Sequence, residues 1–519
     1  MFLAILLVFF GSLFGQLLFS HMVLEGQKGF YSGGSTWGDL ALHLALVNRF
    51  AQEFSLPIIN PLFSGKNLSY PFLIDFISSF FLRVGFSLQL ALIIPALVLL
   101  SISVFLFYHL ALKLTESKLA AFLAPFLFFF NGSLFGLYFF FSDWQKSSLP
   151  FGQFLSQMPK EYAHLGEVNI RFSNIIADYV LPQRPFLLGL PATILVIYLF
   201  VSYWQTKNVK NLSLAGTVTG LLPLAHFHSF FTLVLLAPFL AMAEGGKNLK
   251  RLLKWFYFFL PALLLSAPQI FFFFPLLKEG GFVRFQFGWM KEQENFFWFW
   301  LKNLGIFPLF LGLAFFQSSS FLKRFYLPFL VLFLVPNLII FQPHDFDNMK
   351  IMIYWYLLSC ILVGSFLAWF FKKKSILALI CFSLLTLTGF LSVWRETTVS
   401  WLMFSQEEIV MAEKVKKKTP ADSLFLTSDR HNHPISSLSG RKIVMGYRGW
   451  LWTHGIDYRQ REQEVAKMFA GEANLLKSFG VNYVVIGPSE RQNFKVNGDF
   501  FKQFPIFYQS QNYKIYQIK

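Results

Sequence analysis

The sequence predicts a polytopic α-helical membrane protein carrying a small C-terminal α/β domain. Three observations lead there. Apolar residues make up 55% of the 519 residues and charged ones only 14%, against roughly 25% charged in soluble domains. Apolar runs near the length of about 20 residues that crosses a bilayer recur as far as residue 394. From residue 395 the runs stop, and charged and polar residues become dense.

About 11 spans are expected, at 1–20, 88–112, 119–141, 184–204, 212–225, 228–243, 255–277, 296–319, 325–342, 351–371 and 375–394. The pair around residue 225 is too short for ordinary crossings and reads as a hairpin. The first run, MFLAILLVFFGSLFGQLLF, lacks a basic flank and a small-residue cleavage site, so it reads as an uncleaved helix rather than a signal peptide. The 71 phenylalanines enter lipid about as readily as Leu or Ile.

Basic residues follow every even-numbered span: Lys113/Lys118, Lys207/Lys210, Lys247/Lys250/Arg251/Lys254, Lys323/Arg324 and Lys372/Lys373/Lys374. The positive-inside rule makes those loops cytoplasmic, with the N-terminus inside and residues 395–519 outside. The same side then receives the large loops 21–87 and 142–183 and the shorter segments 278–295 and 343–350. The net charge of +17 is therefore a topology signal, and no nucleic-acid partner is expected. Cys360 and Cys381 both lie in apolar runs, which argues against a disulfide framework or a cysteine metal site.

The division expected is a transmembrane domain over 1–394 and a soluble α/β domain over 395–519. In the latter, SLFLTS, RKIVMGY, VNYVVIGP and NYKIYQI read as strands. REQEVAKMFAG and EANLLKSFG read as helices, the second ending at Gly480.

Five places concentrate chemistry. In GGSTWGDLALHLALVNRFAQE, Ser35 or Thr36 is placed to cap a helix from Trp37. Asp39, His43 and Leu46 then share one face. Asp39 is a candidate general base or divalent-metal ligand, or an acid stabilised by the helix N-terminus. In FQPHDFDNMKIMIYW, Asp345, Asp347 and Lys350 arrive where the chain re-enters lipid, and charge at that depth points to function. Lys350 suits a phosphate; the alternative is a Lys350–Asp347 pair that only orders the loop. Arg184, between Pro182 and Pro185, offers a guanidinium to phosphate or snorkels to the interface.

His226 and His228 sit at the hairpin tip and converge only if the backbone there is turned or extended, since residues two apart do not share a helix face. Asp429, His431, His433, His454 and Asp457 follow predicted strands, where α/β domains collect binding groups. Arg441, Arg448, Trp450 and Trp452 lie among them. The tryptophans suit stacking on a sugar ring or a place at the headgroup level, and the His/Asp spacing matches no zinc signature.

A first span, a long outer loop with Gly38-Asp39, many further spans and an outer α/β domain resemble the GT-C superfamily of membrane glycosyltransferases. Its members include protein mannosyltransferases, aminoarabinose transferases and oligosaccharyltransferases. The resemblance covers the architecture of the whole chain, and its motif is one acidic residue in the first loop, matched by Asp39. The Asp-Glu pair of protein mannosyltransferases and the WWDYG-type signature of oligosaccharyltransferases are absent. The HNHP segment at 431–434 resembles uncharacterised bacterial members.

The resemblance implies a transferase of the bacterial cytoplasmic membrane. It would move a hexosyl or pentosyl group from a polyprenyl-phosphate sugar to an extracytoplasmic glycan, lipid or protein. Asp39, with His43, would act at the reaction centre as base or as ligand to a divalent cation (Mg or Mn). Lys350, Arg184 and Asp347 would hold the donor phosphate. His226, His228, Asp429, His431, His433, Arg448, Trp452, His454 and Asp457 would bind substrate or acceptor. Two other classes fit the sequence: a transporter or flippase for a lipid-linked or anionic substrate, and a non-catalytic envelope assembly protein.

Overall fold

A computed structural model describes residues 1–274 and 282–519. The end of the expected span 255–277 and the start of the segment 278–295 lie outside the described residues.

The chain forms two compact units that interleave in sequence. Among the described residues, one comprises 1–18, 96–271 and 282–399; the other comprises 19–95, 272–274 and 400–519. Residues 19–95 thus group with 400–519, which a boundary drawn along the chain does not reveal.

Among the described residues, seven helices are long and apolar enough to cross a membrane, or nine with two bent pairs. The seven are Phe2–His21, Leu88–Thr115, Arg184–Thr206, Phe227–Gly245, Leu249–Phe273, Asp345–Lys373 and Ser375–Glu396. The bent pairs are Lys118–Phe129 with Leu134–Ser147, at 54°, and Phe296–Leu304 with Phe307–Gln317, at 88°. This falls short of the expected eleven for a local reason. The run at 212–225 supplies only the 12-residue helix Val209–Gly220. The run at 325–342 breaks into short turns near Pro328 and Pro336 and ends in the strand Ile339–Ile340. Proline removes a backbone donor and crowds the preceding turn, so apolar composition there does not yield a continuous helix.

The first unit is built around helix Met349–Lys373, in which every residue from Ile351 to Gly364 is buried. Apolar surroundings offer polar groups no partners, so its hydroxyls pair with neighbouring segments. Tyr354 Oη meets Ser229 Oγ at 2.5 Å, Ser359 Oγ meets Tyr326 Oη at 2.8 Å, and Tyr356 Oη donates to the Leu127 carbonyl at 3.2 Å. Helix Ser375–Glu396 packs as closely on the break between Phe129 and Leu134. A Cβ at Gly389 would lie 2.1 Å from the Phe130 carbonyl oxygen, while Phe390 stacks on Phe130 at 3.7 Å.

The second unit contains a five-stranded mixed sheet in the order Lys442–Ile443, Leu424–Leu426, Tyr483–Ile486, Lys514–Gln517, Ile506–Gln509. The first three strands are parallel and the last two antiparallel. Four of the five fall on the segments expected from alternation. Helices Arg459–Phe469 and Ala473–Phe479 fall on the expected helical segments, and Gly480 closes the second in the left-handed region. Val465, Met468 and Phe469 pack with Leu426 and Val484 in the core. A three-stranded antiparallel sheet joins Leu24–Gly26 and Gly29–Gly33 to Ser400–Ser405.

Gly389→Ala is expected to destabilise the protein by about 1–3 kcal/mol, the usual cost of overpacking against backbone. A thermal melt of the purified protein in detergent checks this through a lowered Tm.

Candidate functional site

In the first unit, the functional side chains sit on irregular backbone held by buried amides. Asn174 Nδ2 donates to the carbonyls of Phe129 (3.1 Å) and Asn131 (3.0 Å), and its Oδ1 accepts from the Ile176 and Ala177 amides. Asn131 Oδ1 accepts from the Ile175 amide at 2.8 Å. These bonds fix the wide turn Ile176–Val180, whose closing bond runs from the Leu181 amide to the Ile176 carbonyl. Such turns are rare and frequent at functional sites; this one presents Asp178 and Tyr179. The neighbouring turn 165–170 is closed by reciprocal bonds between Leu165 and Ile170. The Arg171 and Phe172 amides both donate to Asn303 Oδ1.

On this frame, Glu161, His164 and Asp178 bring ligand atoms within 4.8 Å of one another, the grouping among the described residues suited to a metal ion. His164 Nδ1 lies 2.9 Å from Asp178 Oδ2. Glu161 Oε1 is enclosed without a hydrogen-bond partner. Burial first, then the nearby Asp178 and Glu396, push the Glu161 carboxyl well above the usual range. Crowded acids with an orphaned oxygen and an imidazole are the donor set a divalent cation would neutralise.

The His164 ring stacks on Phe346 at 5.2 Å, and Phe346 stacks on Tyr179 at 6.0 Å. Phe346 opens the approach to helix Met349–Lys373, where Lys350 Nζ lies 3.0 Å from Asp347 Oδ1. Asp345 turns the other way, pairing with Arg284, and its carbonyl accepts from Trp289 Nε1. His226 and His228 do converge, with ring centres 5.4 Å apart. The reason is that His226 is extended and helix Phe227–Gly245 begins just after it. His226 Nδ1 bonds Ser229 Oγ at 2.7 Å, and His228 bonds Gln342. Arg184 opens helix Arg184–Thr206 and is fully buried, so it does not snorkel.

In the second unit, Asp39 precedes helix Leu40–Gln52, and its side chain caps nothing. The expected cap from Ser35 or Thr36 is also absent, because Thr36 Oγ1 donates to the His21 and Gly33 carbonyls. The Asp39 carboxylate is left to accept from Trp450 Nε1 at 3.4 Å. His43 is wholly buried and bonds Asp75 at 2.8 Å through Nδ1. Tyr70 bridges the rings of His43 (6.0 Å) and His454 (4.8 Å). His431 lies against Trp37, Tyr447 and Trp450, and its Nε2 is enclosed without a partner. Burial first, then Arg430, lower its pKa.

The remaining candidates lie elsewhere in this unit. Asp429 pairs with Arg448 at 2.6 Å, and Arg448 also pairs with Glu462. Trp452 is exposed. Asp457 pairs with Arg459 on the surface, which holds its carboxyl at about 2. Arg441 is buried and spends its donors on Thr419, Gln52 and three carbonyls, so an anion has nothing to bind there. His433 bonds Glu490 at 3.1 Å, and Ser428 donates to the same carboxylate. Burial alone would raise Glu490, but His433 and Ser428 outweigh it and hold the carboxyl at about 2.

Asp75, Glu161, His164 and Asp178 were not singled out in the sequence. Asp75 had a signal: an acid on the apolar face of LIDFISSFFLR. The other three lie in the long loop 142–183, and no local spacing relates them.

No family model matches the sequence, and no curated protein matches it. Solved structures do match in fold. The Archaeoglobus fulgidus oligosaccharyltransferase in the apo form is 11% identical and superposes with a TM-score of 0.57 over 93% of this chain and 69% of its own. ArnT from Cupriavidus metallidurans, bound to undecaprenyl phosphate, is 11% identical with a TM-score of 0.51 over 99% of this chain and 97% of its own. The chain therefore shares its fold with this oligosaccharyltransferase and with ArnT.

Because the Glu490 carboxyl is held below its ordinary value, its stabilisation is complete above pH 4.5 and is lost as pH falls toward 2. Glu490→Gln is expected to lower stability at neutral pH and to flatten acid unfolding in that window, as read by tryptophan fluorescence during an acid titration.

Proposed function

We propose that the protein is a membrane glycosyltransferase that moves a sugar from a polyprenyl-phosphate donor to an acceptor outside the cytoplasm. The fold it shares with an oligosaccharyltransferase and with ArnT, the latter bound to undecaprenyl phosphate, supports this reading. The observation that carries it lies in the first unit. There the Glu161–His164–Asp178 group is linked through Phe346 to the Asp347–Lys350 pair at the mouth of an enclosed helix. Anionic ligand atoms suited to a cation, with a partly buried ammonium nearby, match the needs of a phosphate leaving group.

The roles follow from charge. Lys350 and Arg184 offset the negative charge that grows on the departing phosphate, which is where electrostatic stabilisation accelerates transfer. Asp347 orients Lys350. Glu161, His164 and Asp178 hold a divalent cation, and their mixed nitrogen and oxygen donors suit Mn better than Mg. Bound there, the cation supplies further positive charge for phosphate oxygens. The phenylalanine-rich spans give the polyprenyl tail an apolar surface. Asp39, free of any capping duty, engages the acceptor, with the aromatic residues near it as a wall for a sugar ring. On the positive-inside reading the acceptor side is the non-cytoplasmic one.

Lys350→Met is expected to lower kcat/KM for donor about 10- to 100-fold, the cost of losing a charge-assisted contact. A radiolabelled transfer assay from an undecaprenyl phosphate sugar checks this, and full transfer by Asp39→Asn would rule out the acceptor role. Metal binding is checked separately from activity. Wild-type protein should bind Mn in isothermal titration, and Glu161→Gln and His164→Ala should each weaken that binding at least tenfold.

A further inference from the structure

Helix Leu40–Gln52 carries a second acid–imidazole pair. His43 and Asp75 are both 0% exposed, and His43 Nδ1 meets Asp75 Oδ2 at 2.8 Å. Asp75 sits in the first turn of helix Leu73–Arg83, which packs on helix Leu40–Gln52. A carboxylate only accepts, so the Nδ1 proton belongs to His43 and the lone pair is left on Nε2. That nitrogen is enclosed and has no hydrogen-bond partner.

A pair serving only stability leaves this arrangement unexplained. Burying an acid and an imidazole is costly, and apolar residues of similar volume stabilise as well or better. An unpaired buried acceptor adds a further cost. The surroundings point to a ligand. The Tyr70 ring neighbours those of His43 and His454. Asp39 lies one helical turn before His43, and its carbonyl accepts from the His43 amide. The Asp39 carboxylate faces Trp450, whose ring neighbours Tyr447 at 5.4 Å. Titratable groups near the imidazole include Asp75, Asp39, Tyr70 and, beyond Tyr70, His454. Aromatic faces with an acid and an imidazole suit a polyhydroxylated ring.

We infer that His43 and Asp75 form the proton-accepting dyad for the acceptor hydroxyl, an inference that rests on the transferase reading above. The acceptor oxygen bonds to the anomeric carbon of the donor sugar. The bond from that carbon to the phosphate oxygen breaks, and its electron pair leaves with the phosphate. The hydroxyl proton moves to His43 Nε2, making His43 a catalytic residue. Asp75 is a positioning residue: it keeps the productive tautomer and stabilises the imidazolium that forms. Asp39 then orients the acceptor.

The experiment uses full-length protein in lipid nanodiscs, with radiolabelled hexose and pentose donors on undecaprenyl phosphate and water as acceptor. Release of free sugar is followed against pH. Wild-type kcat/KM should rise with pH to a plateau, the profile a general base gives. Asp75→Asn should lower kcat about 100-fold or more, the range of general-base catalysis, with donor KM within about twofold. His43→Gly should be as slow and should regain rate on addition of free imidazole, which a purely structural histidine would not permit. If either variant fails to fold in a thermal melt, the wild-type profile decides, and a rate independent of pH overturns the dyad. Wild-type rates in Asp75→Asn, or a folded His43→Gly without imidazole rescue, also overturn it. No release from any donor by wild-type protein overturns the transferase reading itself, so the two failures are distinct.

Discussion

Helix Met349–Lys373 imposes the constraint on which the first unit depends: polar groups surrounded by apolar ones must find partners inside the protein. The helix is enclosed along most of its length, and its tyrosine and serine hydroxyls tie it to three neighbouring segments. Those bonds are directional, so they fix rotation and register where apolar contact alone would let the helix slide. Its first turn carries Lys350, and that charge inherits the precision of the helix. His226 and His228 are placed from the same source, because Ser229 bonds both His226 and Tyr354.

Irregular backbone serves the same end. A wide turn inside an apolar environment survives only if its freed amides are satisfied, and Asn131 and Asn174 supply what Ile175–Ala177 need. The second unit uses the same device. Asn48, on helix Leu40–Gln52, donates to the Ser437 carbonyl, and Ser437 donates back to the Ala41 carbonyl. Residues nearly four hundred positions apart are locked together, and His43 and Asp39 lie on the helix so held. His433 and Glu490 belong to this structural class, joining the end of one strand to the residues after another.

Much of the architecture was legible before any coordinates. Long apolar runs became helices, and Gly480 ended its helix as glycine does. The runs that misled were 212–225, which gives only a short helix, 325–342, which breaks near Pro328 and Pro336, and 119–141, which bends between Phe129 and Leu134. A hydropathy pattern reports solvent preference and says little about backbone continuity. Lys350 stood out because charge where the chain re-enters lipid is costly, Asp39 and His43 because their spacing puts them on one helical face, and His226 and His228 because they sit at a hairpin tip. Their partners did not. Asp75 lies 32 residues from His43, and nothing local relates the two. Glu161, His164 and Asp178 sit in one long loop, and no local spacing relates them.

What the sequence determined by itself is the hydropathy of each segment and the chemical inventory: long apolar runs as far as residue 394, a polar C-terminal region, and a few charges at the ends of apolar runs. These follow from composition and periodicity, which are properties of neighbours along the chain. The tertiary structure alone decided which acids meet which imidazoles, that residues 19–95 group with 400–519, and that His43 Nε2 and Glu161 Oε1 are left without partners. Pairing across tens or hundreds of residues depends on packing geometry, and no local pattern of residues encodes that.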